Sequence, residues 1–112
     1  MSSTLTHLTF DCTDAARLAG FWSGVLEAPV DDGASTDFAV LKGEPGWMFL
    51  RVPESKAVKN RVHPDLTTTD LPAEVERLVA LGAARQADHD EDGTQWVTLT
   101  DPEGNEFDVA GG

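Results

Sequence analysis

Imidazoles and carboxylates are the side chains of this sequence best suited to chemistry, because both exchange protons when their surroundings ask for it. Glu106 and Asp108 stand two residues apart in Thr98-Leu99-Thr100-Asp101-Pro102-Glu103-Gly104-Asn105-Glu106-Phe107-Asp108-Val109. Gln95 to Thr100 alternates and is rich in β-branched residues, Asp101 to Asn105 is turn chemistry, and Glu106 to Val109 resumes as a strand. Pro102 sets φ early in that turn and Gly104 accepts positive φ later. Strand side chains alternate, so the two carboxylates share one face while Phe107 and Val109 share the other. By the same alternation His7, Thr9 and Asp11 share a face, as do His63, Asp65 and Thr67. Asp11 and Asp65 read equally well as acid–base groups or as hydrogen-bonded acids. His89, beside Asp90, Glu91 and Asp92, reads as exposed and inert.

The elements that position these residues occur twice. Phe38, Leu41, Gly46 and Phe49 are echoed by Trp96, Leu99, Gly104 and Phe107, 58 residues on (96−38, 99−41, 104−46, 107−49). His7, Phe10, Thr13 and Asp14 are echoed by His63, Leu66, Thr69 and Asp70, 56 residues on (63−7, 70−14). The chain is read as a duplicated module with the order β-α-β-β-β in each copy. Module 1 spans about 4–52, a linker 53–61, and module 2 about 62–110. A pseudo-two-fold axis makes His7 equivalent to His63, and Leu50 to Asp108.

Taken in order, the first predicted strand runs from Thr4 to Asp11. A helix over 15–26, capped by Thr13 or Asp14, buries Leu18, Phe21, Trp22, Val25 and Leu26. Strands over 36–41 and 47–52 follow. The linker, with Arg51, holds four of the eight basic residues (Arg51, Lys56, Lys59, Arg61). It reads as an anion grip or as a solvated connector. Then come a strand over 62–68 and a helix over 71–81 that starts at Asp70, carries Pro72 in its first turn and stops at Gly82. Its buried stripe is Val75, Leu78, Val79 and Leu81. A strand over 84–89, a turn over 90–93 and the final hairpin lead to a tail, Ala110-Gly111-Gly112.

At 112 residues the chain fits one compact domain, and its hydrophobic fraction of 40% argues against disorder. Eight basic against 20 acidic residues give a net charge of −12, which repels nucleic acid and anionic membrane and favours cationic ligands. The single cysteine, Cys12, excludes an internal disulfide and a cysteine-based zinc site. It is expected to be a buried thiol. The N-terminus lacks a signal-peptide pattern and no stretch approaches membrane-spanning length, so a cytoplasmic protein is expected. The second sheet face is unusually polar, so two such sheets are expected to curl around a wet cup rather than a packed interior.

These residues carry a resemblance. The two βαβββ units, the Thr-Asp helix starts and the turn Asp101-Pro102-Glu103-Gly104-Asn105-Glu106-Phe107 resemble the vicinal oxygen chelate superfamily. That superfamily includes glyoxalase I, extradiol dioxygenases and the bleomycin- and fosfomycin-resistance proteins. Lys59-Asn60-Arg61-Val62-His63 resembles its actinobacterial glyoxalase-like branch. The resemblance covers roughly residues 4–110 and implies an α+β fold with a curved mixed sheet around a cup. Position by position it implies ligands at His7, Leu50, His63 and Asp108. Leu50 cannot bind a metal, so the four-ligand glyoxalase pattern is incomplete. His7, His63 and Asp108 supply the two-histidine, one-carboxylate set of the dioxygenases, with Asp in place of the longer Glu. That trio suits iron, manganese, nickel or zinc.

The reading favoured is a small-molecule binder, metal-free or weakly metal-binding, with its ligand between the modules. Phe38, Trp47, Met48, Leu50 and Trp96 are its candidate pocket residues. One alternative is a metal-dependent lyase, isomerase or dioxygenase in which Glu106 or Asp65 moves the proton. Another is sequestration of a cationic drug, as in bleomycin-resistance proteins. A vestigial cup serving a structural role is a third. The resemblance also implies a homodimer.

Overall fold

The computed structural model describes residues 2–111; Met1, and Gly112 at the end of the predicted tail, lie outside the described residues. The chain divides into two units between Ser55 and Lys56. No helix among the described residues is long and apolar enough to cross a membrane.

In the first unit, β1 (His7–Cys12), α1 (Ala15–Leu26), β2 (Phe38–Leu41) and β3 (Gly46–Arg51) follow in order. The Asp14 carboxylate accepts the Arg17 N–H at 3.1 Å and so caps α1. Glu27 then turns left-handed and gives its N–H to the Ser23 carbonyl, which closes the helix before Pro29. The sheet order is β1-β3-β2, with β1 parallel and β2 antiparallel to β3. Helix α1 buries Leu18, Phe21, Trp22 and Val25 on the sheet face that carries Ala39, Leu41 and Phe49. Phe10 joins this core, stacked on Trp47 with ring centroids 5.2 Å apart. Leu26, the last residue of α1, is exposed rather than buried with the rest of the stripe. The fourth strand expected in this module is reduced to one bridge, Val30 with Leu41. Asp31 continues the edge contact for one residue through its N–H to the Val40 carbonyl, and Asp32-Gly33 then turns away.

In the second unit, β4 (Asp65–Thr68), α2 (Leu71–Leu81), β5 (Ala84–Glu91), β6 (Thr94–Thr100) and β7 (Glu106–Gly111) form the full βαβββ order. The sheet order is β4-β7-β6-β5, with β4 parallel to β7 and the other pairs antiparallel. Strand β4 begins three residues later than predicted. Pro64 has no N–H for the ladder, and its carbonyl takes the Asp108 N–H at 3.0 Å. Asp70 caps α2, Pro72 lies in its first turn, and Gly82 ends it at φ 126°. The helix buries Val75 and Leu78 but leaves Val79 and Leu81 exposed, so its apolar stripe is narrower than its sequence suggests. Strand β5 runs on to Glu91. Asp92 and Gly93 both take positive φ, the mirror-image two-residue hairpin whose twist matches its strands. Ala110 and Gly111, predicted as tail, belong to β7.

The turn between β6 and β7 is held by one buried side chain. Asp101 is 3% exposed. Its Oδ1 accepts the backbone N–H groups of Glu103 and Asn105, both at 2.9 Å, and the Asn105 amide supplies both oxygens. Gly104, at φ 88°, gives its N–H to the Asp101 carbonyl. This clamp sets the register in which Thr100 faces Glu106 and Thr98 faces Asp108.

That register corrects one equivalence drawn from the sequence. Thr9 pairs with Met48 and Asp65 with Asp108. Since Thr9 and Asp65 are 56 apart (65−9), Met48 is the counterpart of Asp108, 60 residues on (108−48). Leu50 therefore corresponds to Ala110. The second hairpin is two residues longer than the echo assumed.

Replacing Asp101 by Ala leaves several buried donors without an acceptor and is expected to lower the unfolding free energy by about 2 kcal/mol. Asp101→Asn, which keeps one acceptor oxygen, is expected to lose less. Urea denaturation measures both, and an unchanged midpoint for the Ala variant would refute the clamp.

Candidate metal centre

The polar side chains of the second unit converge because β4, β6 and β7 are neighbours with Asp108 in the middle. Asp65 and Asp108 are register partners across parallel strands, so both carboxylates rise from the same face. His63 sits just before β4, behind Pro64, and its ring turns onto that pair. Nδ1 lies 3.0 Å from Asp65 Oδ1 and 3.8 Å from Asp108 Oδ2. One donor atom from each of the three residues falls within 4.8 Å of the others. Exposure falls across the group, with side-chain values of 71% for Asp65, 39% for His63 and 24% for Asp108. The cluster therefore has a wet side and a sheltered side.

On the sheltered side the Thr98 hydroxyl donates to Asp108 Oδ1 at 2.6 Å, the length of a charge-assisted bond. A hydroxyl has one proton. The contact of 3.2 Å between His89 Nε2 and Thr98 Oγ1 must then be donated by histidine, which assigns His89 the Nε2–H form. The His89 ring also stacks on Trp96, 4.7 Å away and tilted by 14°. His89 is thus half-buried and bonded, not the inert surface residue expected from its acidic neighbours. Its register opposite Trp96 on β6 puts it there.

The donor set fits a divalent cation. Metal–ligand bonds of about 2.0–2.2 Å place adjacent donors about 3 Å apart, and the two measured separations need only a small closure to reach that. One imidazole and two carboxylates make an oxygen-rich set, suited to manganese, iron or zinc. In the sequence, Asp65 reads as an acid–base candidate; its position opposite Asp108 makes it a donor candidate as well.

The remaining candidates divide between the units. His7 is carried by β1 of the first unit, and its ring covers Gly46. A Cβ added at Gly46 would lie 3.1 Å from His7 Cδ2 and 3.3 Å from the Leu41 carbonyl, so a side chain there would need the imidazole or the backbone to give by a few tenths of an ångström. Phe38, Met48 and Leu50 lie on the first unit's face away from α1, and Phe38 and Leu50 are exposed. Trp47 lies on the other face, 5.0 Å from Trp22, and is a core aromatic. Trp96 lines a groove of about 610 Å³ beside α2, together with Leu71, Val75, Val79 and His89.

Glu106 reads in sequence as a group that moves a proton, but here it is engaged elsewhere. Its Oε1 accepts the Asn60 N–H at 3.0 Å and lies 3.1 Å from the Lys56 ammonium, while its own carbonyl accepts the Asn60 amide. Burial opposes its charge, yet these donors outweigh burial and hold the carboxyl below its ordinary value. Part of the basic linker is therefore a clasp on β7. Neither Thr98 nor His89 was among the sequence candidates. Counting inward from the five-residue turn would have found Thr98, since Thr100 opposite Glu106 puts Thr98 opposite Asp108.

A family profile described as a glyoxalase-like domain matches residues 7–110. No curated protein sequence matches the chain. Among solved structures, a glyoxalase/bleomycin resistance protein/dioxygenase family enzyme from Burkholderia phytofirmans superposes with a TM-score of 0.78 at 17% identity, over 96% of this chain and 98% of its own. A mutant fosfomycin resistance protein, FosX, from Listeria monocytogenes, complexed with Mn(II) and 1S,2S-dihydroxypropylphosphonic acid, gives 0.80 at 15%, over 100% and 92%. Lactoylglutathione lyase from Agrobacterium tumefaciens gives 0.67 at 15%, over 98% and 94%. At these identities the likeness is one of fold.

Because the Glu106 carboxyl is lowered on folding, its contribution to stability is present above the unfolded value of about 4.3 and lost as pH falls through the folded value. Glu106→Gln is expected to cost about 1 kcal/mol at neutral pH, and the gap from the parent should close on acidification below about pH 4. Denaturation curves across that range check it. A gap that persists in acid would show that charge is not the cause.

Proposed function

The chain belongs to the glyoxalase-like domain family, and we propose that it binds a small oxygen-bearing molecule through a weakly held divalent cation at His63, Asp65 and Asp108. The observation that carries this reading is the convergence of one imidazole and two carboxylates on neighbouring strands, with an open side. The fold resemblance to a protein described with Mn(II) supports manganese as the first probe.

Each residue has a distinct part. Asp108, held from behind by Thr98, offers Oδ2 toward the cation position. His63 offers a ring nitrogen. Asp65, the most exposed of the three, is the group through which a proton reaches solvent or ligand. When bound, the cation supplies Lewis acidity to a ligand that chelates it through two oxygens. Glu106 takes no part in proton transfer, because its carboxylate is occupied by Asn60 and Lys56.

Calorimetric titration of the purified chain with Mn(II) and Zn(II) tests the proposal. One cation per chain is expected, and Asp108→Asn and His63→Ala should each weaken binding by more than about tenfold, or about 1.4 kcal/mol. A parent chain that binds neither cation, or variants that bind as tightly as the parent, would overturn the reading.

A further inference from the structure

We propose that Thr98 and His89 are positioning residues that restrict Asp108 to single-oxygen ligation, and so select small first-row divalent cations over Ca²⁺. This rests on the cation site proposed above. It begins with the two oxygens of one carboxylate. Oδ1 of Asp108 receives the Thr98 hydroxyl at 2.6 Å, while Oδ2 faces His63. To grip a cation with both oxygens, Asp108 must rotate, and the half-buried Thr98 hydroxyl would lose its acceptor.

Thr98 cannot easily follow. Its β-branched side chain stands on a central strand between β5 and β7, with few rotamers open to it. The other side of its oxygen takes the His89 Nε2–H, and the His89 ring is held against Trp96. The line Trp96–His89–Thr98–Asp108 runs across three adjacent strands, so its geometry is that of the sheet rather than of a loop. Ca²⁺ takes six to eight oxygens and often uses bidentate carboxylates, whereas manganese and zinc are satisfied by fewer donors at shorter distances. A carboxylate held to one oxygen penalises Ca²⁺ more.

The test compares Mn²⁺ and Ca²⁺ affinities by competition titration in the parent and three variants. Thr98→Val keeps shape and strand preference but removes the hydroxyl. It is expected to weaken Mn²⁺ binding about tenfold and to narrow the Mn²⁺/Ca²⁺ affinity ratio by at least that factor. Thr98→Ser keeps the hydroxyl and should keep the parent ratio. His89→Phe keeps a ring on Trp96 while removing the donor, and should give a ratio between the two. This third variant also carries the test if Thr98→Val folds poorly. An unchanged ratio in Thr98→Val and His89→Phe, with Asp108→Asn still abolishing binding, overturns this inference and leaves the cation site standing. A parent chain that binds neither ion overturns both.

Discussion

One buried carboxylate sets the geometry of the second unit. Asp101 gathers the N–H groups of its own turn, and that closure decides which residue of β6 faces which residue of β7. A slip of one residue would send Asp108 to the face that α2 covers and bring Phe107 out to water. The aligned register instead puts Thr98 beside Asp108 and leaves Asp65 opposite on the next strand. The polar cluster is thus a consequence of turn chemistry one strand-length away.

The two copies of the duplicated module have spent their strands differently. The second unit keeps all four, and its edge strand β5 delivers His89 to the back of the cluster. In the first unit the corresponding edge survives as a single bridge at Val30. Its core is richer in aromatics, with Phe10 against Trp22, Trp47 and Phe49, and Trp22 against Trp47. Gly46 lies close beneath the His7 imidazole, where an added Cβ would be tight.

Much of this was legible in the residues. Both helices begin and end where their caps predict, because Asp14, Asp70 and Gly82 act locally. The α+β class, the two-unit plan and the polar faces also follow from alternation and from the internal echo. What failed was whatever depended on register between distant segments. Leu50 matched Asp108 through the 58-residue offset of the echo (108−50), but strand pairing puts Met48 there, since matching aromatic and glycine positions says nothing about hairpin length. His89 read as surface because its sequence neighbours are acidic, whereas its surroundings are set by Trp96 and Thr98 on another strand. Glu106 looked free for chemistry because the basic linker, read as an anion grip or a connector, gave no sign that Lys56 and Asn60 would meet a carboxylate of β7.

The cation site proposed at His63, Asp65 and Asp108 would unite these features: the clamp aligns the strands, Thr98 bonds the central carboxylate, and one side of the cluster is exposed. Anomalous diffraction from crystals grown with Mn(II) examines that assignment directly. A single strong peak bonded to all three residues at about 2.0–2.2 Å is the expected result. A peak at any other group, or none beside Asp108 in manganese-loaded crystals, would contradict it.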